Sequence, residues 1–458
     1  MLIRFSVENF LSFKERVTLS LLPGKSMLKK EHETVPVKGV RVLKTGVVYG
    51  ANASGKSNLI KAIAYGKKLV TEGCPTGMTI ECPKHRLDAD SASKGTRIEY
   101  EIQTCQKNYA YGFIVNNGEI AEEWLYEISK KGEKKIYERL VDKSVFDVDY
   151  LIKHQKKQEE KQFVTFLCKA TPKNQLLLHE VLVRNVKENV SDITDLENVI
   201  NWFTTTLNVI FPQDKYKSGI KLIACNNEQL KKYYTALLRY FDTGVKTICL
   251  QKVNEDKLSI PQDKLNQVKM SLLKQKNTEA RMSLSDGRDN YIFSLEGDDL
   301  CVQKFMTQHD VVGGQMDAFF DVADESDGTN RIIDYIPLII DLLKGDKVFV
   351  VDEMERSLHP NLIYDIFDLF LGNCVGINSQ LIVSTHESCL LTQKLLRKDE
   401  IWFVVKNDKG ASALHSLEDY NVRFDKEIRK DYLLGRYKGI PRLGNREDLS
   451  LLISNKVL

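Results

Sequence analysis

Residues Thr45–Tyr49, Thr-Gly-Val-Val-Tyr, run directly into Gly50-Ala51-Asn52-Ala53-Ser54-Gly55-Lys56-Ser57, and from there into a stretch in which Leu59, Ile60 and Ile63 recur at helical spacing. No other feature limits the possible folds so strongly. A strand, a glycine-flanked loop and a helix in immediate succession form the repeating unit of an α/β protein with a parallel sheet. Glycines at both ends let backbone N–H groups wrap an anion, and the following helix turns its positive end toward it. The pattern is that of a phosphate-binding loop. Residues 50 to 55 and Asn58 would line the polyphosphate, Lys56 would reach the β- and γ-phosphates, and Ser57 would offer its hydroxyl to magnesium. The implied ligands are ATP and Mg2+.

A second run, Val348-Phe349-Val350-Val351, ends in Asp352-Glu353. Unbroken apolar residues of this length suit a parallel strand buried on both faces, and ligands of open α/β sheets bind at the strands' C-terminal ends. Asp352 is therefore placed to hold magnesium through water, and Glu353 to orient the attacking water. Ser326-Asp327-Gly328-Thr329 precedes the apolar helical run Ile332 to Leu343, so Ser326, Gly328 and Thr329 stand at a helix N-terminus, a second phosphate-binding end. In isolation the same tetrapeptide would be an ordinary N-cap. Ser357-Leu358-His359-Pro360 follows the acidic pair, with Pro360 suited to open the next helix. His386 follows the apolar strand Leu381 to Val383, where an imidazole can sense a γ-phosphate.

The rest of the chain frames these motifs. Leu2 to Glu8 and Val17 to Leu22 have strand patterning, which also argues against a signal peptide at the N-terminus. Thr96 to Ile128 reads as a β-meander turning at Asn117-Gly118. Lys153 to Lys161 is a solvated charge run, and residues from about 170 to 285 are expected to be mainly helical, with segments Leu196 to Thr206, Glu228 to Phe241 and Asp263 to Lys274. This divides the chain into 1–150, an insertion over 151–300, and 301–458. Hydrophobic residues at 42% and charged residues at 28% fit a globular protein, and no apolar run is long enough to span a membrane, so a cytoplasmic location is expected. Nine scattered cysteines without a Cys-x-x-Cys pair point to reduced thiols. A net charge of +3 does not by itself imply nucleic acid, although it leaves room for a local basic groove.

Taken in order, loop 50–57, Ser326 to Thr329, Val348 to Glu353, Ser357 to Pro360 and His386 resemble the Walker A, signature, Walker B, D-loop and switch-histidine motifs of the ABC ATPases. The resemblance implies an ABC-ATPase head: a mixed β-sheet core carrying the P-loop, an antiparallel β-subdomain and an inserted mainly helical region. Lys56 and Ser326 are 270 residues apart, a longer interval than in transporter subunits, and Val7 to Phe13 is similar to the start of the SMC and RecF branch. Closer still, Val7 to Phe13, Trp124 to Glu127, Asp324 to Arg331 and Tyr432 to Tyr437 resemble the bacterial AAA-type ATPases related to RloA, a group similar to the ATPase of the PARIS anti-phage system.

That resemblance implies catalytic roles for Lys56, Glu353 and His386, a site shared across a homodimer or higher homo-oligomer, and a separately encoded effector, commonly a nuclease. The signature departs from a Leu-Ser-Gly-Gly-Gln type sequence, and no Q-loop glutamine stands out; Gln103 and Gln106 fall in the β-meander. Related OLD nucleases carry a Toprim domain after the ATPase. Only about 58 residues follow Glu400, too few for one, so the chain itself is not expected to cut DNA. The competing expectation is a RecF-like ATPase that clamps duplex DNA. A transporter subunit and an inactive nucleotide site rank below both.

Overall fold

The computed structural model describes residues 1–441 except 76, 142–144, 218, 255–257, 259, 275–281, 286–289, 298, 314–315 and 421–426. The chain forms two units. The first comprises Met1–Pro212, Gly345–Met354 and Phe367–Leu458, and the second Gln213–Lys344 with Glu355–Ile366.

Two sheets build the first unit. Strands β1 (Leu2–Glu8), β2 (Val17–Ser20), β4 (Thr96–Thr104), β5 (Lys107–Asn116), β6 (Glu119–Ser129), β7 (Gly132–Leu140) and β8 (Val145–Asp147) form an antiparallel sheet in the order β2-β1-β4-β5-β6-β7-β8. The other sheet contains β3 (Thr45–Tyr49), β9 (Leu207–Ile210), β15 (Val348–Val351), β16 (Gln380–Ser384), β17 (Ile401–Lys406) and β18 (Ser412–Ser416), in the order β18-β17-β3-β16-β15-β9. All its pairings are parallel except β17 with β18. The expected α/β class, with a mixed core sheet behind the P-loop and an antiparallel subdomain, is thus the observed one.

The helix Lys56–Thr71 joins the two sheets. Its Leu59, Ile60, Ile63 and Val70 are fully buried, each contributing about 1.5–3 kcal/mol of apolar transfer energy. They share a core with the inward face of the antiparallel sheet, where Phe5, Tyr100, Tyr111 and Phe203 meet in tilted and edge-on ring contacts. Gly66 permits the close approach: a Cβ there would lie 2.2 Å from the Tyr100 hydroxyl, which donates to the Ile63 carbonyl at 2.7 Å.

The second unit adds to the helices expected over 151–300 a sheet that the sequence did not announce. Strands β10 (Thr247–Lys252), β11 (Met282–Ser285), β12 (Asn290–Glu296), β13 (Asp299–His309) and β14 (Ala318–Asp321) form an antiparallel sheet ordered β10-β13-β12-β11, with β14 added on β13. The sheet crosses the expected boundary at residue 300, and Ile260, Leu265, Val268 and Leu272 pack with Phe293 and Val302 in its core. The expected helices are present at Glu228–Tyr240 and Gln262–Lys274, whereas Leu196 to Thr206 divides into a helix, Thr194–Asn201, and one π-turn, Trp202–Thr206. Residues from 151 to 212 belong to the first unit, because Leu177, Leu178, Leu196 and Trp202 are buried in its core and β9 completes its parallel sheet.

A buried ionic cluster ties the loop after β2 to the segment before β17. The Arg397 guanidinium, fully buried, donates to Glu33 at 2.8 Å, to Asp399 at 2.6 and 2.9 Å, and to the Leu28 carbonyl at 2.9 Å. Replacing Arg397 with Ala takes the guanidinium away from the buried Asp399 carboxylate, while Glu33 keeps Lys30 and Arg41, and should lower the stability of this unit by about 3–5 kcal/mol. Chemical denaturation followed by circular dichroism checks this; an unchanged midpoint would show that the cluster contributes nothing net.

Candidate functional site

Three adjacent strands of the parallel sheet, β3, β16 and β15, bring the sequence motifs to one edge. Their alignment is fixed by pairing of Val48 with Ser384 and of Val351 with Val383. Because the strands are parallel, residues 50 to 57, Asp352-Glu353 and His386 all leave the sheet at its C-terminal side, the side on which such sheets bind ligands. His386 is exposed, two residues past the end of β16.

The loop is held tightly from beneath. A Cβ at Gly50 would lie 2.4 Å from Ser54 Oγ and 2.6 Å from the Val404 carbonyl. Gly55 adopts φ +114°, and a Cβ there would stand 2.5 Å from both Ser12 Oγ and Ser412 Oγ. Those serines brace the loop: Asn58 donates to Ser12 Oγ at 2.8 Å, Ser412 N donates to the Ser12 carbonyl at 2.7 Å, and Ser412 Oγ donates to the Ser54 carbonyl at 2.5 Å. Ala53 is also left-handed, at φ 60°, and left-handed residues within such turns are what lets backbone N–H groups form an anion-binding concavity. Lys56 is buried, and its ammonium donates to the Gly50 carbonyl at 2.8 Å and the Ala51 carbonyl at 3.3 Å, which places a positive charge within the loop itself.

Asp352 is only 3% exposed. Its Oδ1 accepts from Ser57 Oγ at 3.2 Å and from Ser384 Oγ. Ser384 Oγ also lies 3.0 Å from the Glu353 N–H that donates to it. Glu353 itself adopts φ 47°, an uncommon conformation for a residue with a side chain, and one that persists where the surroundings hold it. Ser384 is the site residue that the motifs did not single out. Its only sequence signal is a small polar residue closing an apolar strand immediately before Thr385-His386. Ser57 and Asp352 form a pair of hard oxygen donors, one neutral and one anionic, at a helix N-terminus. That donor set fits Mg2+, which keeps most of its water and takes few protein ligands.

In the second unit Ser326 caps the helix Asp327–Lys344. Its Oγ accepts from the Thr329 N–H at 3.0 Å and lies 2.9 Å from Thr329 Oγ1. A Cβ at Gly328 would approach the Ser357 carbonyl at 3.1 Å, so the signature-like turn and the segment before Pro360 are in close contact. Pro360 is the first residue of its helix, as expected, while Pro337 lies inside the signature helix. Gln103 is a structural residue of β4, donating to Asn108 Oδ1, and Gln106 lies in the turn to β5.

Fold and loop define a P-loop nucleotide-binding domain of the α/β class. The family described as "AAA domain, putative AbiEii toxin, Type IV TA system" matches residues 47–145 and 269–392, segments that contain all five motifs apart from the first residues of the loop's strand. Among solved structures, the chain is similar to the SMC head domain from Thermotoga maritima, with 12% identity and a TM-score of 0.37 over 91% of this chain and 98% of that one. It is also similar to an SMC head bound to the C-winged helix domain of ScpA, with 13% identity and a TM-score of 0.38 over 91% and 97%. No curated protein matches its sequence. Phosphate loop and family match together support an ATPase domain of the AAA type.

A methyl group at Gly55 has no room beside Ser12 and Ser412 and no easy φ. Gly55→Ala should therefore reduce ATP binding at least about tenfold through displacement of the loop. Titration with a fluorescent ATP analogue measures it, and unaltered affinity would show that the loop does not form the phosphate cradle.

Proposed function

We propose that the protein binds and hydrolyses ATP with magnesium, and that two copies close on each other to complete each site. The observation that carries this reading is the set of contacts joining Ser57, Asp352, Ser384 and the Glu353 backbone at the edge of the parallel sheet. In it, loop residues 50 to 55 and Asn58 hold the polyphosphate, and Lys56 balances the β- and γ-phosphate charge. Ser57 and Asp352 hold the metal, whose chemistry is to neutralise charge building on the phosphate oxygens. Glu353, fixed by its N–H bond to Ser384, orients the attacking water, and His386 contacts the γ-phosphate. Ser326, Gly328 and Thr329 of a second copy present a helix N-terminus to that same phosphate, so closure is favoured with ATP and lost after hydrolysis.

The biological role that fits is an ATP-controlled dimeric switch of anti-phage defence that holds or regulates a separately encoded effector, such as a nuclease. Its support is the likeness to RloA-related ATPases, together with the words "putative AbiEii toxin, Type IV TA system" in the matched family's description. A second reading, a RecF-like ATPase acting on DNA, draws on Lys130, Lys131 and Lys134 around the β6–β7 turn, beside Glu127 and Glu133. No helix among the described residues is long and apolar enough to cross a membrane.

Specific ATPase activity should rise with protein concentration. Glu353→Gln should retain ATP binding, accumulate a closed dimer by mass photometry, and turn over at least about a hundredfold more slowly. Unchanged turnover would remove Glu353 from the mechanism. Strong stimulation by duplex DNA, reduced by salt, would favour the second reading.

A further inference from the structure

The residue before the signature-like serine is anchored in a way that hydrolysis alone does not explain. Glu325 is nearly buried, and its Oε1 takes two contacts from the neighbouring strand β13: Thr307 Oγ1 donates to it, and His309 Nε2 lies 2.7 Å away. Thr307 is itself fully buried and also donates to the Phe320 carbonyl at 3.3 Å, while the His309 ring meets the Phe320 ring edge-on at 4.7 Å. Strand β14, which leads into the turn before Glu325, is held to β13 through pairing of Thr307 with Phe320 and of His309 with Ala318, and through the Lys304–Asp321 ion pair at 2.8 Å. On the other side, the Asn330 amide donates to the Val322 and Glu325 carbonyls at 2.9 and 3.3 Å, and Asn330 N donates to the Ser326 carbonyl at 2.9 Å. Ser326 is thus fixed from both directions, by its own helix and by two side chains of β13.

We infer that Thr307 and His309 are positioning residues for Ser326: acting through the Glu325 carboxylate, they lock the signature helix N-terminus to the antiparallel sheet of the second unit. The inference rests on the reading that Ser326 caps nucleotide held by another copy. A helix end that stabilises a γ-phosphate must be placed within a fraction of an ångström, and displacements of about 1 Å cost on the order of a hundredfold in rate. A lone N-cap needs only its Thr329 partner. Two further donors, the buried Thr307 and the partly exposed His309, converge on the oxygen of the preceding residue; they add nothing to the cap itself, but they fix where it points. The sheet then acts as the lever through which its own movement would reach the nucleotide.

The test uses the full chain carrying Glu325→Ala, Glu325→Gln, or Thr307→Val with His309→Phe, compared with Ser326→Arg. Glutamine keeps an acceptor oxygen for both donors. The expected result is a fall in kcat at saturating protein of about tenfold to a hundredfold in Glu325→Ala and in the double variant. Nucleotide affinity of the unassociated protein should stay near wild type once rates and binding are expressed per folded protein, with Glu325→Gln recovering most of the rate. Loss of rate only in proportion to loss of folded protein, or a Glu325→Ala rate within about twofold of wild type while Ser326→Arg is inactive, would overturn the positioning role. Full hydrolysis by Ser326→Arg would instead sink the shared-site reading beneath it. If Glu325→Ala does not fold, the Thr307 and His309 double variant decides the matter alone.

Discussion

Everything at the proposed nucleotide site depends on one buried carboxylate. Asp352 is almost inaccessible, and an ionised group so placed is costly unless hydrogen-bonded on the spot. Ser57 on the loop's helix and Ser384 on the neighbouring strand supply those bonds. The same contacts tie three consecutive elements of the site together, since Ser384 also receives the Glu353 N–H. A residue suited to metal binding is thereby also the fastener that sets loop, acidic turn and strand end in register.

The loop shows the same economy of space. Gly50 and Gly55 are required less for flexibility than because Ser54, Ser12, Ser412 and the Val404 carbonyl leave no volume for a side chain. Backbone brought that close can present N–H groups to an anion in a fixed array, which has less to reorganise when charge develops. The C-terminal segment contributes from below: Tyr432 and Tyr437 stack on Phe403, and Tyr432 also meets Tyr49 at the end of β3. Tyr432 and Tyr437 thus pack behind the loop's own strand.

What was legible in the sequence was whatever short-range pattern dictates. Val348 to Val351 could hardly be other than a buried strand, the β-meander declared itself by alternation and Asn117-Gly118, and the loop by its glycines. The long-range partners were not legible, because Ser12, Ser384 and Ser412 are ordinary residues until the fold brings them to the loop. The sheet of the second unit was missed for a related reason. Thr247 to Lys252 and Asn290 to His309 carry many polar residues and lie among strongly periodic helices, so their strand character emerges from pairing with one another rather than from local preference. The four residues of β9, Leu207 to Ile210, interrupted by Asn208, are too short a segment after a helical one to be distinguished by periodicity.

The missed sheet alters the meaning of the signature-like turn. As a helical insertion, the middle of the chain would offer Ser326 only a flexible approach from a loop. As an antiparallel sheet, it delivers Ser326 from β14, a strand paired to β13, whose Thr307 and His309 reach Glu325 directly. The pairing of β14 with β13 and the two contacts to Glu325 hold that helix end to the sheet. A helix N-terminus held in this way is a stiff element, whose favourable interaction with a phosphate falls off within its first turn. Small displacements of the sheet would therefore change that interaction sharply, which is the physical requirement for a unit that couples an outside event to nucleotide turnover.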